Sequence, residues 1–248
     1  ISPVQIQETM TRESLVSVPS PEDVSLAGIS IDASEVQRAQ IEGIAKPGYV
    51  LDQATTIHAV IEALYDAQES ITIPLQYEAG RISNTSGGDL GDLTLFSIGR
   101  SNFRGSPASR VANVRKALRE HVNNVLIPPG ATFSFNETLG GPVNLGNGWR
   151  MAKVIYNGDE IREAPGGGIC QASTTVYRAV VSAGLPVTER RGHSIYVSYY
   201  KEGGVGIDAT IYPGSQDLTF VNDTPSYLLL QAFDEGNDAY VLVYGTPD

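Results

Sequence analysis

The sequence contains few of the residues that several kinds of site require. Cysteine occurs once, at Cys170, and histidine three times, at His58, His121 and His193. One cysteine excludes an internal disulfide and a zinc site built on cysteines, and three histidines argue against a His-rich metal centre. We therefore predict no metal and no cofactor. A lone thiol is most often a small packed residue, so its neighbours decide whether it has a chemical role.

Basic residues are scarce relative to acidic ones. The 248 residues include 17 Lys and Arg against 28 Asp and Glu, which gives a formal net charge of −11. Binding to a phosphate backbone or to an anionic membrane surface needs clustered cations. The charge balance therefore argues against nucleic acid as a partner and against adsorption to a membrane.

Long apolar runs are also missing. No run reaches the roughly 18 apolar residues that a membrane-spanning helix needs. The first residues, Ile1-Ser2-Pro3, have neither an initiator methionine nor the basic start of a signal peptide. We therefore expect a processed form or a fragment, with an export segment or membrane anchor upstream.

The composition is that of a globular protein. Hydrophobic residues make up 41% of the chain and charged residues 18%, and its 248 residues suit one large domain or two small ones. The order of helical and extended patterns predicts an α+β fold, with a mainly antiparallel sheet and two principal helices in the C-terminal domain. We predict an arm over 1–28, a small α+β domain over 29–82, a linker over 83–92 and the main domain over 93–248.

Individual elements follow from hydrophobic period and turn residues. Helices are predicted over 55–68, 107–125 and 170–183, the first capped by Thr55 or Thr56 and the second by Ser106. Strands are predicted at 29–32, 71–77, 93–98, 131–135, 150–157, 187–190, 194–200, 206–212, 217–222, 227–233 and 239–244.

Three consecutive glycines, 166–168, precede the helix that begins at the only cysteine. Glycines in series cost backbone entropy and suit either a close approach to the backbone or a tight turn into the helix. At a helix N-terminus, Cys170 would lie near unpaired N–H groups and the positive end of the helix dipole, which favour a thiolate. The amides of Gly167 and Gly168 could bind an oxyanion. The pattern predicts a nucleophile and an anion hole, the two parts of an acyl-transfer site.

A thiol nucleophile also needs a base, and chain geometry points to His193. A helix over 170–183 is about 21 Å long, and an extended return over 187–193 spans about 23 Å. The chain thus returns to the start of the helix, where Cys170 lies. A strand-end histidine with ordinary solvation is the alternative.

The residue that would orient His193, the third member of such a site, is less clearly indicated by the sequence. Asp208 could orient the imidazole of His193, but a hairpin centred near Gly203 would pair it with Ser198 instead. A backbone carbonyl could orient the ring equally well, and Arg190 could form a solvated pair with Glu189. The predicted oxyanion and substrate-binding residues are Gly167, Gly168, Gln171, Ser173, Arg190 and Asp208.

From about Thr94 to Gly245 the sequence resembles the VanW-like domain family. The resemblance depends on several ordered motifs rather than on the glycines alone. They are Arg110-Val111-Ala112-Asn113, the segment 127–136, the segment 166–177, Ala183-Gly184-Leu185, Glu189-Arg190, His193-Ser194, Asp208-Ala209-Thr210 and the segment 217–222. Region 29–82 more weakly resembles the peptidoglycan-binding domain that often precedes such domains.

The resemblance implies a bacterial protein of the cell envelope, exported or membrane-anchored, with peptidoglycan stem peptides as its partner. It also implies L,D-transpeptidase-like acyl transfer, in which Cys170 attacks a stem-peptide carbonyl and an amine of a second stem resolves the thioester. The alternative is a non-catalytic peptidoglycan-binding or scaffolding module of the envelope. In that case the glycine loop is a ligand clamp and Cys170 is a packed residue.

Overall fold

A computed structural model describes residues 19–32, 35–156 and 160–246. The predicted α+β fold is confirmed, with 24% of residues in helices and 35% in strands. The helices are α1 (Gln53–Tyr65), α2 (Ala108–Lys116), α3 (Phe135–Thr138) and α4 (Ile169–Ser182). The strands are β1 (Val24–Ile31), β2 (Gln37–Ile41), β3 (Gly48–Leu51), β4 (Leu75–Glu78), β5 (Ile82–Asn84), β6 (Thr94–Asn102), β7 (Val125–Ile127), β8 (Thr132–Ser134), β9 (Met151–Tyr156), β10 (Glu160–Pro165), β11 (Val187–Glu189), β12 (Thr219–Val221), β13 (Leu228–Glu235) and β14 (Asp238–Gly245).

The described residues form two compact units that interleave along the chain. The smaller unit contains 19–24 and 45–82, and the larger contains 25–44 and 83–246. The proposed division at 29–82 therefore differs from this one, because 25–44 packs with the larger unit. Residues 1–18 of the proposed arm lie outside the described residues, and part of the proposed linker pairs as β5.

The larger unit is organised around a seven-stranded sheet in the order β5-β1-β2-β7-β13-β14-β6. Its longest ladder joins β14 to β6, from Asp238 opposite Asn102 to Gly245 opposite Thr94. Helix α4 covers this part of the sheet so closely that a β-carbon at Gly99 would lie 2.1 Å from the Thr175 carbonyl oxygen. Glycine in β6 thus lets α4 lie directly on the strand.

The hydrophobic core of the larger unit lies between this sheet and its helices. Helix α2 continues into a π-helical segment, Ala117–Val122, whose Leu118 and Val122 are fully buried. Leu230 of β13 and Val176 of α4 belong to the same buried cluster. The predicted single helix over 107–125 is therefore an α-helix joined to a π-helical segment, which ends before β7.

Two smaller sheets complete this unit. Strands β9 and β10 form an antiparallel hairpin that ends at Pro165, directly before the three glycines. The other sheet has the order β11-β12-β8, and Phe133 stacks on Phe220 across it at 4.8 Å. Strand β10 was missing from the sequence prediction.

The smaller unit contains the β3–β4 ladder and α1. The cap of α1 is Asp52, which accepts from the Thr55 amide at 3.0 Å, so the prediction of Thr55 or Thr56 as the cap was wrong. Asp52 is a strong cap because its carboxylate also complements the helix dipole. The helix begins at Gln53, three or four residues before the start that a cap at Thr55 or Thr56 would give.

Two predicted strands after His193 are not formed. Residues 198–203 are a 3₁₀ helix, and 206–212 contribute only isolated bridges. Side-chain donation by Arg178 explains part of this: its guanidinium donates to the Tyr200 carbonyl at 2.6 Å and to the Ile207 carbonyl at 3.1 Å. These carbonyls are satisfied without a sheet ladder.

Candidate functional site

The glycine run forms a tight turn between β10 and α4. Gly166 and Gly168 have φ values of 84° and 109°, a region that favours glycine. Gly167 is confined by space instead, since a β-carbon there would lie 2.7 Å from the Ala152 carbonyl oxygen. The carbonyl of Gly167 accepts a hydrogen bond from the side-chain Nδ2 of Asn113 at 2.9 Å. Close packing and backbone conformation therefore account for all three glycines.

Cys170 lies in the first turn of α4 and is partly buried. Its Sγ is 3.6 Å from the Thr210 hydroxyl and 3.7 Å from the Ile211 carbonyl oxygen. His193 lies near enough to the thiol to lower its pKa. The structure thus brings together the two residues that the length argument paired.

His193 is in turn held by Asp208. The imidazole Nδ1 lies 2.5 Å from Asp208 Oδ2, and the His193 amide donates to the same oxygen at 2.8 Å. Both side chains are largely buried, with 7% and 11% of their surface exposed. With Nδ1 bonded to the carboxylate, the Nε2 side of the ring is available to the thiol. The three residues form a chain from thiol to imidazole to carboxylate.

Arg190 organises the carboxylate end of this chain. Its Nε donates to the Asp208 backbone carbonyl at 2.6 Å, and its Nη2 lies 3.4 Å from Asp208 Oδ1. Its guanidinium stacks over the Tyr177 ring at 4.9 Å. The alternative, an ion pair between Glu189 and Arg190, is not found among the described residues, and Glu189 accepts from the Asp217 backbone amide at 2.9 Å. Arg190 therefore lies behind the imidazole as a support.

The thiol and the imidazole have pKa shifts of opposite sign. Burial raises the pKa of Cys170, but hydrogen bonding and charge from His193, helped by Ile211 and Thr210, outweigh it and leave the pKa lowered. Burial lowers the pKa of His193, yet Cys170 and Asp208 together leave it raised. The pair therefore favours a thiolate beside an imidazolium.

Two predicted site residues support the structure instead of facing an open surface. Gln171 is fully buried, accepts from Arg110 Nη1 at 2.6 Å and donates to Ser101 at 3.1 Å. Ser173 is also fully buried and donates to the Ala209 carbonyl at 2.7 Å. The bond from Ser173 to Ala209 fixes the segment carrying Asp208 and Thr210 against α4. Both side chains thus position the site from behind.

The backbone amides at the start of α4 remain candidates for an anion hole. Among the described residues, the amides of Gly168 and Cys170 have no hydrogen-bond acceptor. Unpaired N–H groups at the first turn of a 14-residue helix suit a negatively charged oxygen. A cleft of about 250 Å³ adjoins the imidazole side, bordered by His193, Tyr196, Tyr200 and Asp208.

Thr210 and Tyr200 lie close to this centre and were not among the predicted site residues. Thr210 follows Asp208 by two residues, so the Asp208-Ala209-Thr210 motif was the available signal. Tyr200 is buried, its ring centroid 5.3 Å from that of His193. Alternation within an assumed strand could not place either residue, because that strand is not formed.

Two further kinds of feature are absent from the described ranges. No helix within 19–32, 35–156 and 160–246 combines the length and apolar character needed to cross a bilayer. In the same ranges, no three His, Cys, Asp or Glu side chains gather where a metal ion could be held.

The fold and the site together define the class of protein. It is an α+β protein in which a glycine turn leads into a helix, with Cys170, His193 and Asp208 grouped at the start of that helix. The chain belongs to the VanW-like protein family, whose match covers residues 109–244. It is 33% identical over 144 residues to the uncharacterized protein YoaR of Bacillus subtilis. It is 30% identical over 130 residues to the vancomycin B-type resistance protein VanW of Enterococcus faecalis.

These matches cover only part of each protein. The YoaR alignment takes in 58% of this chain and 46% of YoaR, and the VanW alignment 47% and 42%. The chain thus spans less than half the length of both relatives. No solved structure matches the chain significantly.

Proposed function

We propose that this protein is a cysteine-dependent acyl transferase of the bacterial cell wall, with L,D-transpeptidase-like chemistry on peptidoglycan stem peptides. The observation that carries the proposal is the grouping of Cys170, His193 and Asp208 at the start of α4, where Asp208 holds His193 and His193 lowers the pKa of the thiol. A nucleophile, a base and a group that orients the base are the parts that covalent acyl transfer needs. A packed structural cysteine needs neither of the other two.

The first half-reaction forms a thioester. The Cys170 thiolate adds to the carbonyl carbon of a stem peptide, and the amides of Gly168 and Cys170 bind the oxyanion that results. The C–N bond then breaks, and the leaving amine takes a proton from the His193 imidazolium. Asp208 stabilises that imidazolium through Nδ1.

The second half-reaction releases the acyl group. An amine of another stem adds to the thioester carbonyl, and His193 accepts its proton. The C–S bond breaks and returns the Cys170 thiolate. Water in place of the amine would give hydrolysis, so the acceptor decides between a transferase and a peptidase.

Similarity to a protein named for vancomycin resistance favours a substrate in the cell wall. We therefore place this protein outside the cytoplasm, in the cell envelope, exported or held by an anchor upstream. The smaller unit would act as a peptidoglycan-binding module. A net charge of −11 agrees with a partner other than nucleic acid.

The test compares the protein with Cys170→Ala on disaccharide-tetrapeptide muropeptides, with products identified by mass spectrometry. We expect a cross-linked dimer, formed with loss of the terminal D-alanine, from the wild type alone. Shortened monomers would indicate a peptidase. Ser182→Ala is the matched control, because Ser182 is an exposed residue at the other end of α4.

A binding module without turnover is the competing function, and it is favoured by the packing that explains the glycine run. It predicts no product with any muropeptide and a thiol that resists iodoacetamide in the folded protein. It also predicts that Cys170→Ala binds purified cell wall as the wild type does. That set of results would overturn the enzyme proposal.

A further inference from the structure

Arg110 is a buried cation that lacks an acidic partner. Its residue surface is only 8% exposed, and among the described residues no carboxylate lies within ion-pair distance of it. The half-buried Arg38 and Arg190 differ, since each lies beside an aspartate. Burying an unpaired charge is costly, so a cation kept in this state suggests an anion supplied from outside the chain.

Part of the Arg110 guanidinium is unused. Its Nη1 donates to the Ser106 hydroxyl at 2.9 Å and to Gln171 Oε1 at 2.6 Å. Its Nε and Nη2 have no acceptor among the described residues, and neither is sealed from solvent. The face of the group lies 4.5 Å over the Tyr199 ring. The guanidinium is therefore held in place, and its Nε–Nη2 edge can still donate hydrogen bonds.

Arg110 lies at the same turn as the thiol. A β-carbon on Gly168 would lie 2.8 Å from Arg110 Cγ, and Gly168 is the residue that caps α4. Gln171, which Arg110 contacts, directly follows Cys170. Burial raises the pKa of Tyr200. Cys170 and Asp208 raise this pKa further, and Arg110 lowers it, so Arg110 and the two site residues act on the same phenol.

We propose that Arg110 binds the terminal carboxylate of the acyl donor, the carboxylate of the amino acid that leaves when Cys170 forms its thioester. The proposal depends on the acyl-transfer function above. In a C-terminal residue the carboxylate carbon is two bonds from the scissile nitrogen, and therefore close to the attacked carbonyl. The free Nε and Nη2 edge matches a carboxylate in a bidentate manner. Arg110 would thus restrict the reaction to peptide ends.

The first test uses alkylation of Cys170 in the full chain and needs no peptide substrate. Anionic iodoacetate and neutral iodoacetamide are compared, each relative to a small free thiol. We expect a raised iodoacetate-to-iodoacetamide ratio in the wild type and a loss of about tenfold in Arg110→Gln. Arg119→Gln is the matched control, because it removes the same charge from an exposed position paired with Asp234.

Arg110→Lys keeps a charge at this position if the Gln variant does not fold. Lysine should retain part of the iodoacetate preference and lose the bidentate contact. A wild-type ratio equal to that of the free thiol would overturn the proposal without any variant.

The second test compares a tetrapeptide donor that has a free C-terminal carboxylate with its C-terminal carboxamide. The wild type should use the free acid at least tenfold faster, as measured by product formation, and the Arg110 variants should lose this preference. Equal use of both donors by the wild type would reject the role of Arg110 and leave the acyl-transfer proposal standing. No product from either donor, with an Arg110-dependent alkylation ratio, would reject the transferase and leave an anion site beside Cys170.

Discussion

At the scale of single residues, the pairing of Cys170 with His193 was accessible from the sequence because it depends on lengths. Helix α4 carries the chain away from the thiol. Strand β11 and the residues that follow it bring the chain back to His193. The contact between His193 and Asp208 was not accessible in this way. It depends on residues 198–203 forming a 3₁₀ helix instead of a hairpin arm that would pair Asp208 with Ser198.

The coupling between thiol and imidazole gives a prediction for pH dependence. The lowered pKa of Cys170 depends on His193, while burial acts in the opposite direction. In His193→Gln the raising effect of burial remains and the main lowering group is lost. The midpoint of the iodoacetamide labelling rate against pH should therefore move up, and labelling below that midpoint should slow.

The control for this experiment is His58→Gln, in the smaller unit, where the histidine side chain is 73% exposed and lies beside Glu62. Its labelling midpoint should match that of the wild type. An unchanged midpoint in His193→Gln would mean that the imidazole does not set the state of the thiol, and would count against the proposed nucleophile.

At the scale of elements, hydrophobic period located the long helices and strands well. It failed where side chains replace backbone partners. Arg178 satisfies the carbonyls of Tyr200 and Ile207, and Ser173 satisfies the carbonyl of Ala209. Donors that come from distant side chains leave no pattern in the sequence of the segment they bind. The alternation of apolar and polar residues in 194–212 therefore predicted strands.

The turn before α4 yields a prediction on stability. In Gly167→Ala the new methyl would overlap the carbonyl groups of Ala152 and Lys153, which belong to strand β9 of the β9–β10 ladder. We expect a loss of about 2 kcal/mol in the free energy of unfolding, measured in urea, since overpacking against backbone is relieved only by shifting it.

Gly141→Ala is the matched control for this change, because its β-carbon would meet only the Asn147 side chain at an ordinary 3.7 Å. Its stability should lie within about 0.5 kcal/mol of the wild type. If Gly167→Ala proved as stable as that control yet lost cell-wall binding, the glycines would serve a ligand rather than packing.

At the scale of the whole molecule, composition and element order indicated an α+β protein with two units, but not their interleaving. A contiguous domain over 93–248 was the simplest division of the sequence. The larger unit instead includes 25–44, which supplies β1 and β2 to the seven-stranded sheet. Only pairing between distant segments could reveal this, since the local pattern of 29–44 is compatible with either unit.

Arg38 of β2 allows this interleaving to be tested within the intact chain. It donates to the backbone carbonyls of His121 at 2.8 Å and Asn123 at 3.1 Å, and it pairs with Asp32. Arg38→Met keeps much of the side-chain volume but leaves these carbonyls and Asp32 without the charge. We expect a loss of about 2 kcal/mol in the free energy of unfolding, because bonds to a charged, partly buried donor are costly to remove.

Arg81→Met, in the smaller unit, removes the same charge from a side chain that is 83% exposed and lies 3.7 Å from Asp23. An exposed ion pair contributes little to stability, so the free energy of unfolding of this control should lie within about 0.5 kcal/mol of the wild type.

A second measurement removes residues 1–92. The remaining chain, residues 93–248, should be less stable than Arg38→Met, because it leaves the edge of β7 unpaired. Equal stability of that fragment and the full chain would mean that 25–44 does not stabilise the sheet. In that case residues 93–248 would be an independently folding domain, as the contiguous division assumes.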